Sequence, residues 1–78
     1  MPDLIPLHRL GSGEVAQIVS VVGRPEHVHR MKELGLHDGA EIAVLRSGTP
    51  CIIRLAGQTL CFRANELLSV LVRPAVLA

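Results

Sequence analysis

Only one aromatic side chain, Phe62, occurs in the 78 residues; Trp and Tyr are absent. RNA-binding sheets and single-strand grooves stack bases on several rings. Grooves for proline-rich peptides are lined with rings as well, so the composition argues against all three. Charge of either sign is sparse, and eight Lys and Arg against seven Asp and Glu leave a net charge of +1. The basic residues are scattered, without the cluster that phosphate-backbone binding requires. No apolar run approaches the roughly 18 residues of a membrane helix. Met1 to Leu10 has neither the basic start nor the apolar run of an export signal. The cytoplasm is therefore the expected compartment, with Cys51 and Cys61 as reduced thiols.

Catalytic patterns are also missing. The chain has no Cys-x-x-Cys, no His-Glu-x-x-His and no Ser-His-Asp spacing, and Gly11-Ser12-Gly13-Glu14 lacks the lysine and the length of a phosphate-binding loop. A chain this short forms one domain, buries only about 60% of its unfolded surface and has little room for a deep cleft. It reads as a non-enzyme. The hydrophobic share of 49% rules out disorder and leaves apolar surface available for docking.

What is present is regular punctuation by glycine and proline, at the spacing of a small sandwich or barrel. Leu7–Leu10 reads as a short first strand and Gly11-Ser12-Gly13 as a turn. Glu14–Val22, rich in β-branched residues, reads as a second strand. Glu26–Leu34 is the expected helix. Pro25 suits its first turn, Val28, Met31 and Leu34 form its apolar stripe, and Gly35 is its left-handed cap. Glu41–Arg46 alternates as a strand. Cys51–Ala56 and Thr59–Arg63 form a hairpin about a type II′ turn at Gly57-Gln58. That register sets Ile53 against Phe62, Leu55 against Leu60 and Arg54 against Cys61, and puts the two cysteines on opposite faces. A helical turn over Ala64–Leu68, a closing strand over Ser69–Val72 ended by Arg73-Pro74, and a tail complete the chain.

The order and spacing of Leu7, Leu10 and Gly13; Ile18; Met31, Leu34, Gly35, Leu36 and Gly39; Ile42 and Val44; Gly57; Phe62; and Val70 and Val72 resemble the FeoA family, ferrous iron transport protein A. Met31 stands where the family often has Leu, a swap of similar volume. The resemblance implies a mainly β fold, a small SH3-like, partly open β-barrel of five to six strands with one short inserted α-helix. It implies one domain over residues 1–78, with a core at 7–72 and a tail at 73–78. It also implies a cytoplasmic accessory of bacterial ferrous iron uptake that docks onto the membrane transporter FeoB and supports or regulates it. FeoA-like domains also end metal-dependent repressors after a winged helix; with none present here, the free-standing form is expected. A metal-sensing or regulatory domain and a structural homo-oligomerisation module, self-associating weakly through Val76 and Leu77, are the alternatives.

No cofactor and no metal site is assigned. His27 and His29 lie two apart, so on a helix they diverge and cannot share an ion. Glu26, His29 and Glu33 share a face suited only to weak binding, with His37 and Asp38 just beyond. Arg24 reads as a solvated loop residue, Cys51 as a small core residue and Cys61 as an outer-face thiol. The expected partner-binding residues are Met31, Leu34, Leu36 and His37, because one short helix and a glycine-flanked loop leave an apolar anchor on display.

Overall fold

A computed structural model describes residues 4–67 and 69–75. Six strands form one antiparallel sheet in the order β1-β6-β2-β3-β4-β5. They are β1 (Ile5–Pro6), β2 (Val15–Val21), β3 (Glu41–Arg46), β4 (Cys51–Leu55), β5 (Gln58–Phe62) and β6 (Val70–Pro74). Helix α1 (Pro25–Glu33) joins β2 to β3, and the single turn α2 (Ala64–Leu67) joins β5 to β6. The sheet is unclosed, since β1 and β5 are its two ends.

Alternation decides the faces. In β2, Ala16 and Ile18 are buried while Val15 and Gln17 are exposed, the period-2 pattern of a strand with one face on a core. The same pattern buries Ile42 and Val44, Cys51, Ile53 and Leu55, and Val70 and Val72. Together with Leu7, Leu10, Met31, Leu36, Phe62 and Leu67 they make one core, which among the described residues contains no buried polar or charged side chain.

β2 is the central ribbon. It pairs with β3 on one side and β6 on the other. A bulge between Ile18 and Ser20 interrupts its pairing with β6 and bends the strand. Beyond the bulge the chain stays tied, with Val22 N–H donating to the Ser69 carbonyl at 2.8 Å. On the other flank Gly39 N–H donates to the Ile18 carbonyl, and Ile18 N–H to the Ala40 carbonyl, both at 2.8 Å.

Three sequence expectations are corrected. Leu7–Leu10 is not a strand: β1 ends at Pro6, and Leu7–Arg9 is a 3₁₀ turn. Residues three apart eclipse in such a turn, which lets Leu7 and Leu10 both enter the core. Next, the β4–β5 turn is Ala56-Gly57, with φ of 51° and 81°, a type I′ geometry whose twist suits the flanking strands. Ile53 therefore faces Leu60, Cys51 faces Phe62, Arg54 faces Thr59 and Ile52 faces Cys61. The shift is by two residues, so every side chain keeps its expected face. Finally, the closing strand runs through Pro74. Ala75 N–H, not a Pro74 group, donates to the Val15 carbonyl at 2.9 Å, so the missing proline donor leaves the β2 pairing intact. The expected end of the helical turn at Leu68 and the tail residues Val76 and Leu77 lie outside the described residues.

Gly35 ends α1 as expected. Its φ is +102°, Leu36 N–H reaches back to the Met31 carbonyl at 2.9 Å and Gly35 N–H to the Lys32 carbonyl at 3.0 Å. This is the paired-bond exit that left-handed caps provide. The position is also crowded, because a Cβ there would lie 3.0 Å from Leu55 Cδ2. Replacing Gly35 by Ala is expected to cost about 1–3 kcal/mol, as strain at a special backbone position does. A urea unfolding curve with the midpoint unchanged from the parent chain would refute this account of the cap.

Candidate docking surface

Helix α1 is short, and Pro25 occupies its first turn. Its inward side supplies Met31, fully buried, with Val28 and Leu34 half-buried. Two contacts tie the helix to the α2–β6 turn. His27 Nε2 and Ser69 Oγ lie 2.8 Å apart, and Arg30 pairs with Glu66 at 3.3 Å. The second is solvent-exposed on the arginine side and contributes little to stability; the first is partly buried and positions the helix. Gly23 precedes the helix with a φ of +128°, a backbone conformation that a side chain would strain.

The four expected partner-binding residues divide. Met31 and Leu36 are each 0% exposed, so they are core residues and present nothing to a partner. The reason is the cap: the Gly35 turn folds Leu36 back under the helix beside Met31, where the sheet has space for it. The picture of Leu36 as a displayed apolar anchor is therefore corrected. Leu34 is half-buried against the core, and His37 is exposed, its Nδ1–H donating to the Asp38 carbonyl at 3.0 Å. Around them the outer side of α1 shows His29, Lys32 and Glu33, with His29 paired to Glu33 one turn on.

The histidines diverge as the helix geometry requires: His27 turns inward to Ser69 and His29 outward to Glu33. Among the described residues no three His, Cys, Asp or Glu side chains converge to hold a metal ion. Arg24 is the exposed residue at the helix N-cap. Elsewhere, an open groove of roughly 370 Å³ lies beside the end of β6, lined by Val15, Ala16, Gln17, Glu41, Arg73 and Pro74 among others. Cross-strand pairing sets Gln17 between Glu41 and Arg73, so the groove brings one acid, one base and no nucleophile.

Both cysteines are free thiols, Cys51 buried and Cys61 exposed. Burial pushes the Cys51 thiol above its ordinary pKa, and the neighbouring Cys61 adds to the rise. A buried, protonated thiol is inert, because only the thiolate attacks. Iodoacetamide is accordingly expected to modify Cys61 in the folded protein and Cys51 only after denaturant is added; mass spectrometry finding early label on Cys51 would contradict the packing described. Leu36→Ala is expected to lose about 2–5 kcal/mol in denaturant unfolding, as a buried leucine does. A loss of only a few tenths would return Leu36 to the surface.

A sheet-and-helix-turn domain with no charge in its core and no convergent catalytic side chains among its described residues defines a small β module. The model of the FeoA domain matches residues 5–74. An iron uptake regulatory protein, FeoA, solved by crystallography superposes with a TM-score of 0.87 at 28% identity, covering 94% of this chain and all of its own. The FeoA protein of Chlorobium tepidum superposes with a TM-score of 0.84 at 32% identity, covering 92% of this chain and 71% of its own. FeoA of Stenotrophomonas maltophilia, solved with zinc and described as a procaryotic SH3 domain protein, superposes at 0.75 and 23% identity, covering 85% and 86%. No curated protein matches the sequence. The chain belongs to the FeoA family, and its fold is the SH3-like barrel, left open between β1 and β5. No helix of the described residues is long and apolar enough to cross a membrane.

Proposed function

We propose that this chain is, as a single domain, a cytoplasmic, non-catalytic accessory of ferrous iron uptake that docks onto a FeoB-type transporter and supports or regulates its activity. The observation that carries this reading is the FeoA match over residues 5–74, nearly the whole chain. A second support is the absence of converging catalytic or metal-binding side chains among the described residues, the open groove beside β6 included.

The docking contacts are Leu34 and His37, held in place by the buried Met31 and Leu36. Half-exposed Leu34 offers apolar area beside a polar rim of His29, Lys32 and Glu33, the anatomy of a modest interface. The decisive measurement is binding of the chain to full-length FeoB in nanodiscs, with nucleotide hydrolysis followed in the same samples. Saturable binding is expected, weakened roughly tenfold by a Leu34→Ala, His37→Ala double variant, since such anchors carry most of an interface's energy. Absence of binding in both nucleotide states would sink the proposal. Binding that the double variant leaves intact would move the contact to another face.

A further inference from the structure

Acidic and basic residues are spread along the chain, but not evenly. Between residues 42 and 65 there are three arginines, Arg46, Arg54 and Arg63, and no Asp or Glu. That stretch comprises β4, β5 and all of β3 but its first residue, and all three arginines are exposed. This corner of the sheet is therefore basic although the chain as a whole is nearly neutral.

The same corner ends in an unpaired edge. β5 is the last strand of the sheet and, among the described residues, pairs with β4 alone. The two-residue turn makes Leu55 and Gln58 the hydrogen-bonded pair that closes the hairpin. Alternation then makes Ile53–Leu60 and Cys51–Phe62 the other hydrogen-bonded pairs. Gln58, Leu60 and Phe62 thus direct their backbone groups to β4, while the N–H and C=O groups of Thr59 and Cys61 point off the sheet. Proteins normally guard such an edge with brevity, proline, charge or a bulge. The opposite edge is guarded: β1 has two residues, one of them Pro6. β5 has five residues with no proline and no charge, and its pairing with β4 has no bulge.

We propose that the β5 edge is a strand-addition site for an extended acidic segment of a protein partner. An added strand would take its backbone bonds from Thr59 and Cys61, the usual source of affinity in this mode of recognition. Its side chains alternate between two faces. On the outer face they lie beside Thr59 and Cys61, with Arg63 just past the strand end and Arg54 one strand further in, across from Thr59, where a long guanidinium side chain can reach toward them. On the inner face they meet half-buried Leu60. The fitting segment therefore alternates acidic and apolar residues. A second copy of this chain fits less well, because its own β5, Gln58–Phe62, carries no acid to set against Arg54 and Arg63. This edge is a different surface from Leu34 and His37, and the inference stands whether or not the transporter is the partner.

The test uses the full ¹⁵N-labelled chain and two short capped peptides, one alternating Glu and Val, the other Lys and Val. The Glu–Val peptide is expected to shift the Thr59 and Cys61 amides first and to slow their hydrogen exchange. The Lys–Val peptide, and the Glu–Val peptide on an Arg54→Glu, Arg63→Glu variant, are expected to bind at least roughly tenfold more weakly, as opposed charge patterns do. Thr59→Pro removes an outward donor without touching a bond to β4, and is expected to abolish binding with the circular dichroism spectrum retained. Should that variant fail to fold, amide exchange and charge reversal still decide. Equal binding of the two peptides, no binding up to millimolar concentration, or shifts centred elsewhere would overturn the proposal. Protection of Thr59 and Cys61 that grows with protein concentration in the absence of peptide would overturn it as well, in favour of self-pairing.

Discussion

The turn at Gly35 holds this domain together. Among the described residues it is the one place where a positive φ, a reach-back hydrogen bond and a close approach to the sheet coincide: Leu36 N–H on the Met31 carbonyl at 2.9 Å, with Leu55 Cδ2 3.0 Å from where a Cβ would stand. From this point the helix stops, Leu36 enters the core and the chain is aimed into β3. A side chain at residue 35 would sit in a left-handed backbone conformation and crowd the Leu55 side chain, straining the turn that seats Leu36 in the core. In a domain of this size, where net stability is a few kcal/mol, the core cannot spare one of its larger side chains.

That constraint shapes what the surface can offer. The large buried side chains come from every strand but β1, along with α1 and α2, so the exterior is left with polar groups and isolated apolar ones such as Leu4, Val15, Val22 and Leu45. Scattered single apolar residues are ordinary on a protein surface. The surface features that stand out are half-buried Leu34 beside exposed His37 on one side, and the outward backbone groups of Thr59 and Cys61 at the sheet end on another.

Much of this was legible in the residues. Alternation in Glu41–Arg46 and in the Cys51 hairpin fixed which side chains face inward, and the Pro25 start and Gly35 stop bracketed the helix to within a residue of its observed span. Even the wrong hairpin register kept the faces right, because an error of two preserves parity. The misplacements have separate causes. Leu7–Leu10 offers a strand-like apolar pattern although its two leucines are spaced for a 3₁₀ turn, and a glycine-flanked loop such as the one carrying Leu36 usually lies on the surface. The charge asymmetry of residues 42–65 was present in the sequence too, but its significance needed the knowledge that this stretch ends at a free sheet edge.

Most of the elements, the inward faces of the strands and the family pattern are legible in the residues alone, since these follow from local periodicity, backbone restrictions at glycine and proline, and the spacing of apolar residues. Which apolar residues stay outside is settled only by long-range packing. Burial depends on whether another element arrives to cover a side chain, and Leu36 is covered by the sheet that its own turn brings into place. The tertiary structure likewise decided that β5 rather than β3 or β4 ends the sheet. Strand order is a property of long-range pairing, which no local stretch of residues carries.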